Sequence, residues 1–329
     1  MSVSPPKLVH VRRKSLPLLN KTSYVKSFMM DRRAKVAAGA RKLFETEERR
    51  RRGVLIRDKQ QAAHNRKRLP GPLRAMARKV LRSRTVKRVR RWFLQPVPGF
   101  ETYRAHLAGK RGLEIGGPSG FFADDGPLPV YRVLAGLDNC IFSPETIWEG
   151  EIKAGRTFEY QPKKEPGIQF ICEATELKPI QNSTYDYILA SHCLEHMANP
   201  LHALDEWKRV LKQDGVLLLV LPHKEGTFDW RRATTPLAHM IEDYRDEVGE
   251  DDLTHLPEIL ALHDLAKDKA AGSPGQFRQR CLENSLKRAM HHHVFDTPAA
   301  LHLVDYAGFD VIRTDRIKPY HIVILSRRR

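Results

Sequence analysis

Apolar positions along the last two thirds of the chain recur in short blocks. Gly112–Ile115, a stretch within Val130–Cys140 ending in Leu137-Asp138-Asn139, Ile168–Cys172, Tyr185–Ala190 and Val216–Leu221 are brief runs bounded by Gly, Ser, Asp or Asn. Blocks of that length and flanking chemistry predict strands rather than helices. Val216–Leu221 is aliphatic throughout, the pattern of a strand covered on both faces. Phe100–Lys110 predicts a short helix ahead of the first strand. Leu201, Leu204, Trp207 and Leu211 share one helical face, and Gln213-Asp214-Gly215 ends that helix. Strand and helix in alternation predict an α/β fold with a parallel sheet.

Residues 223–295 break the alternation. Leu237, Ile241, Tyr244 and Val248 mark one helix, Leu256–Leu265 a second and Gln276–Met290 a third, which together predict a helical cap inserted into the sheet domain. The alternation resumes with a helix at Thr297–Ala307 and strands at Asp310–Ile317 and His321–Ser326. Only Lys318–Tyr320 joins those two strands, too little for a crossover helix, so they should pair antiparallel.

Charge divides the 329-residue chain. The first 100 residues hold 29 Lys and Arg against 5 acids, and the rest holds 28 against 34, so the net +18 belongs to the N-terminal segment. Residues 1–95 read as a basic arm, partly helical at Asp31–Arg52 and Leu73–Leu94 and otherwise disordered. Pro96, Pro98 and Gly99 mark a boundary, with residues 96–329 as the second domain. An arm of this composition suits an anionic membrane surface or nucleic acid. Cys140, Cys172, Cys193 and Cys281 form no CxxC pair and predict neither a disulfide framework nor a zinc cage, so a reducing, cytoplasmic setting is expected. No apolar run is long enough to span a membrane. Residues 1–30 lack a secretory apolar core, although their basic, acid-free composition also fits a mitochondrial transit peptide.

The first strand leads into the turn Gly116-Gly117-Pro118-Ser119-Gly120. Glycines just past a strand allow positive φ and close approach of a ligand. Together with YDYILASHCLEHMANPLHALDEWKRVLKQDGVLLLVLP (185–222), this acidic strand end and glycine turn resemble the class I S-adenosylmethionine-dependent methyltransferases. The resemblance is to the branch in which a strand runs into LEH, an (Asp/Asn)-Pro helix start, RVLKPGG and another strand. It covers roughly residues 100–222 and 297–329. It implies a Rossmann-like, seven-stranded, mostly parallel sheet with an antiparallel last strand, and S-adenosyl-L-methionine as cofactor. Two departures stand out: Pro118 occupies the central glycine position, and RVLKQDG keeps only Gly215 of the usual pair.

The resemblance further implies Glu114, Gly116, Gly117 and Gly120 around the methionine part of the cofactor, and Glu173-Ala174 at the adenine. Asp138, about twenty residues past the turn, is expected to accept hydrogen bonds from the ribose as in dinucleotide folds, with Glu145 and Glu149 as rivals. Ser191 and His192 follow the fourth strand and His223 the fifth, where open parallel sheets bind ligands. Either histidine suits a general base, and His196 reads as capping or packing. The cap is rich in His (His239, His255, His263, His291, His292, His293), with Asp229, Glu242, Asp243 and Asp264 nearby. That mixture could bind a divalent metal, but three successive side chains cannot all face one point in regular backbone, so the histidines are assigned to a polar substrate cap and no metal is expected. The function expected is methyl transfer to a small-molecule or glycan-type (saccharide) acceptor at oxygen. The alternatives are an RNA methyltransferase using the arm, and a peripheral-membrane adaptor with an inactive cofactor-binding domain. Replacement of the asparagine/aspartate-Pro-Pro-aromatic box of amino methyltransferases by Ser191-His192-Cys193-Leu194-Glu195-His196 favours the oxygen acceptor.

Overall fold

A computed structural model describes residues 99–146, 150–268 and 270–329. The arm of residues 1–95, its two expected helices and Glu149 lie outside the described residues. Helix α1 (Phe100–Leu107) buries Tyr103 and Leu107 and leads into β1 (Arg111–Ile115). Then follow β2 (Gly136–Ile141), a small pair β3 (Glu145–Thr146) and β4 (Gly150–Glu151), β5 (Gly155–Phe158), β6 (Gly167–Ile171) and β7 (Tyr185–Ser191). Helix α2 (Pro200–Val210) connects β7 to β8 (Leu211–Pro222). The cap contributes α3 (Leu237–Arg245), α4 (Leu256–Leu262), α5 (Pro274–Leu282) and α6 (Asn284–Lys287). The chain closes with α7 (Thr297–Tyr306), β9 (Phe309–Ile317) and β10 (His321–Arg328).

The main sheet has the order β5-β6-β2-β1-β7-β8-β10-β9. Strands β6, β2, β1, β7 and β8 are parallel, and β10 runs antiparallel between β8 and β9. This is the Rossmann-like α/β sheet expected, with eight strands instead of seven. The extra strand, β5, pairs antiparallel with β6 at the edge. Its Gly-Arg-Thr-Phe buries only Phe158, so it carries no hydrophobic period. The side-chain alternation of β8 divides the core: Leu217, Leu219 and Leu221 face α2 and α7, while Val216, Leu218 and Val220 face α1 and the segment after β1. Helix α2 starts where Asn199 Oδ1 accepts the His202 amide at 3.0 Å, with Pro200 at its first turn. Its Trp207 is fully buried and donates its indole N–H to the Ala174 carbonyl at 3.0 Å.

Residues 116–130 form turns that end in the 3-10 turn Tyr131–Val133. Two local expectations change. The predicted helix over Gln276–Met290 divides at Glu283 into α5 and α6 and stops at Arg288, whose φ of 48° is left-handed. The first cap helix ends at Arg245 rather than reaching Val248. His223 and Phe295 bridge each other, and Lys224 N–H donates to the Phe295 carbonyl at 2.8 Å. The cap therefore leaves and rejoins the sheet at one point. Ile259, Ala271, Phe277, Cys281 and Met290 give it a small core of its own. Among the described residues no helix is long and apolar enough to cross a membrane.

Candidate active site

The carboxyl ends of β1, β2, β6 and β7 open into a cavity of about 910 Å³ whose opposite wall is the cap. Gly116, Ser119, Ile141, Phe142, Glu173, Ala174, Ser191 and His192 line the sheet side. Glu195, His196, Glu250, Asp268, Arg280, Arg288 and His291 give the rest a dense polar surface.

The glycine turn is held from beneath. Glu114 is fully buried; the Tyr131 hydroxyl donates to its two oxygens at 2.8 and 2.7 Å, and Ser119 N–H donates to Oε1 at 3.1 Å. Burial and the Glu114 charge push the Tyr131 phenol far above its ordinary pKa, which keeps it a donor. Asn139 Oδ1 accepts the Gly117 amide at 2.9 Å, and Asn139 Nδ2 returns a bond to the Gly117 carbonyl at 3.1 Å. A Cβ on Gly117 would lie 2.3 Å from the Glu114 carboxylate. Gly117 is thus small because Glu114 is packed against it. Gly116, at φ 72°, is the glycine that faces the cavity, with only Cys193 Cβ within reach of an added Cβ, at 3.5 Å. Gly120 is exposed and does not line the cavity.

Asp138 is not at a strand end. It pairs with Leu113 in mid-strand, its carboxylate accepting the Ile168 amide at 2.7 Å and the Tyr185 hydroxyl at 2.9 Å, and it does not reach the cavity. Strand β2 runs on to Ile141, so Ile141 and Phe142 occupy the ligand-facing end. The rival Glu145 is exposed in β3. Among the described residues, the acids that line the cavity are Glu173, Glu195, Glu250 and Asp268. Arg288 joins two of them, 2.6 Å from Glu173 Oε1 and 2.7 Å from Glu250 Oε2, with its guanidinium 5.2 Å from the Phe142 ring centre. Burial raises both carboxyls against the pull of Arg288, Glu250 to about 7.

At the end of β7, His192 has φ 54°, which turns its ring into the cavity. Its Nε2 lies 2.8 Å from His321 Nδ1 and its Nδ1 lies 3.5 Å from Glu195 Oε1. Burial would raise Glu195, but the His192 contact and the neighbouring imidazoles hold it below the ordinary glutamate value. Burial, then the nearby His192, brings His321 down to about 4, so it is neutral near pH 7. His196 also faces the cavity: its Nδ1–H donates to the Met290 carbonyl at 3.1 Å, and burial brings it down to about 4. His291 Nδ1 is 2.6 Å from Asp229 Oδ2; burial opposes its charge, but the Asp229 carboxylate raises it overall. His223 does not line the cavity; its ring accepts the Glu225 amide and caps the short turn Lys224–Gly226.

The cavity therefore gathers Gly116, Glu173, Ala174, Ser191 and His192 of the expected set, and leaves Glu114 and Gly117 as its support. His321, Glu195, Arg288 and Glu250 belong to the site without having been singled out. Glu195 had a signal, since it is the acid of Leu194-Glu195-His196. Arg288 and Glu250 had none, because only the folded cap brings them to the end of β6.

Several buried atoms of cavity-lining residues have no hydrogen-bond partner, among them Ser191 Oγ, Glu195 Oε2 and Arg280 Nε, while Glu250 Oε2 has only its ion pair with Arg288. Orphaned polar atoms of this kind are costly unless a ligand meets them. With the space left by Gly116 and the apolar wall of Ile141, Phe142 and Ala174, they fit a cofactor having a polar amino-acid end and a flat heteroaromatic ring.

A family profile described as "Methyltransferase domain" matches residues 146–219. The matched segment runs from the end of β3 into β8, and it is this part of the α/β unit that is similar to a methyltransferase domain. The chain has no match among curated proteins. Similar solved structures include an S-adenosylmethionine-dependent methyltransferase of Methanosarcina mazei (15% identity, 71% of this chain and 99% of that one, TM-score 0.40). Another, from Mesorhizobium loti, has 12% identity over 70% of this chain and 96% of that one, with TM-score 0.40. A third is the 1,6-didemethyltoxoflavin-N1-methyltransferase of Burkholderia thailandensis with bound S-adenosylhomocysteine (12% identity, 77% and 83%, TM-score 0.37).

Proposed function

We propose that this domain transfers a methyl group to a hydroxyl of a small, polar, glycan-type acceptor held beneath the cap. One observation supports this reading most: a single cavity joins a cofactor-sized sheet wall to a cap wall of alternating acids and bases. Such a wall can pair the many hydroxyls of a saccharide.

S-adenosylmethionine supplies an activated methyl group for in-line displacement, so the protein's main task is alignment. Gly116, Ser119 and Ser191 would hold its amino-acid end. Ile141, Phe142 and Ala174 would flank the adenine, with Glu173 near the ring's amino group. His192 would take the acceptor's proton. With Nδ1–H directed at Glu195, the ring keeps Nε2 as its basic atom, and the acceptor hydroxyl would replace the His321 contact at that nitrogen to deliver its proton. Glu195 Oε2, without a partner, would receive a second acceptor hydroxyl. The cap would cover the reacting atoms.

Mass spectrometry of cellular glycans and small metabolites, with and without the gene, tests the acceptor. The expected result is a species that loses one methyl group in mass when the gene is absent. Unchanged glycans and metabolites beside an altered ribonucleoside would contradict the reading.

A further inference from the structure

We propose that His239, Asp243, His255 and His293 form a closed four-ligand site for a divalent ion of the zinc type, which fixes the cap over the cavity. One ligand atom from each lies within 4.8 Å of all the others. His239 Nε2 is 3.0 Å from His255 Nε2 and 3.4 Å from Asp243 Oδ2. Ligand distances of about 2.0–2.1 Å in a tetrahedron place neighbouring donors about 3.3 Å apart. The observed spacings bracket that value.

Charge and hydrogen bonding point the same way. A neutral imidazole has one N–H to share, yet three rings and a carboxylate converge here. Asp243 Oδ2 and His293 Nδ1 are buried without a hydrogen-bond partner. A cation at the centre supplies what these atoms lack. One outer contact has the form that orients metal ligands: His293 Nε2–H can donate to the Ala198 carbonyl oxygen at 3.2 Å, which leaves Nδ1 for the ion. Three imidazoles and one carboxylate make a borderline-soft donor set that suits zinc better than magnesium or calcium. Four protein donors leave no open position, as in structural rather than catalytic sites.

The ligands come from three separate segments. His239 and Asp243 stand four residues apart on α3 and share a face. His255 immediately precedes α4. His293 lies on the segment returning to the sheet, and its backbone N–H is 3.3 Å from the Glu195 carbonyl oxygen. The ion would thus pin the start, middle and end of the cap beside the residue that contacts His192. A second convergent group, Glu195, His196 and His291, faces the cavity and has only three donors.

The test uses the full-length chain without a histidine tag. Elemental analysis of purified protein, and titration of chelator-stripped protein with zinc and with cobalt(II), are expected to give one bound equivalent and a tetrahedral cobalt spectrum. His255→Gln and Asp243→Asn should each lose that equivalent, whereas His291→Gln and exposed His302→Gln should keep it. Stripped wild-type protein that remains folded by circular dichroism and takes up neither ion would overturn the proposal. So would loss of the metal in His291→Gln with retention in both ligand variants.

Discussion

Gly117→Ala separates two explanations of the glycine turn. One holds that Gly117 is small to admit the cofactor; the geometry says it is small to admit Glu114. An alanine Cβ would stand 2.3 Å from both Cδ and Oε2 of Glu114 and 2.7 Å from its Cγ. A free glutamate would swing aside, but this one is fully buried and held by Tyr131 and Ser119. Overpacking costs about 1–3 kcal/mol. Weakening the hydrogen bonds to a buried charge adds about 1.5–3 kcal/mol. The sum, about 2.5–6 kcal/mol, should lower Tm by at least roughly 5 °C in a domain of this size. Gly120→Ala is the control, since an added Cβ meets nothing within 4 Å there. Thermal melts of both variants without ligand decide the matter. A Gly117→Ala protein that melts with wild type but fails to bind S-adenosylmethionine would refute the packing argument.

Three further outcomes follow from the site. His192→Gln should cut methyl transfer by about 10²–10⁴-fold, the usual share of a general base, while calorimetry finds cofactor affinity unchanged. Ser191→Ala removes an orphaned buried hydroxyl, so Tm should hold or rise, whereas cofactor affinity should fall roughly two- to tenfold if that oxygen meets the ligand. Glu250 has a folded pKa of about 7 against an ordinary 4.5. The folded state therefore binds more protons between those values, and this group's contribution to stability is lost as pH rises through the window. Glu250→Gln should remove that loss, gaining at most about 3 kcal/mol over wild type near pH 8 and little near pH 5, as melts at the two pH values would show.

Much of this fold was legible in the sequence because its strands are buried on both faces. The run Val216–Leu221 needed no period to be read, and the short link Lys318–Tyr320 fixed the antiparallel closure. Strand β5 was not legible, since three of its four residues are exposed and only Phe158 anchors it in the core beside its backbone pairing with β6. Asp138 shows the limit of spacing arguments. Distance from the glycine turn says nothing about strand register, and β2 extends three residues beyond it, leaving the carboxylate inside the sheet's network. His223 fails for a related reason: it directly follows a strand, but the cap departs there and takes its ring for a turn. His192 directly follows β7 and lines the cavity. Its partners were hidden because His321 and Glu195 reach it from different parts of the fold.

The central claim, that the cavity at the ends of β1, β2, β6 and β7 holds the methyl donor, is met most directly by calorimetric titration of the full-length chain with S-adenosylmethionine. The account predicts saturable one-to-one binding by wild type. Gly116→Val, shown by its melt to be folded, should bind at least about tenfold more weakly, since the position has φ 72° and its side chain would enter the cavity. Folded wild-type protein that gives no binding, or a Gly116→Val protein that binds equally well, would contradict it.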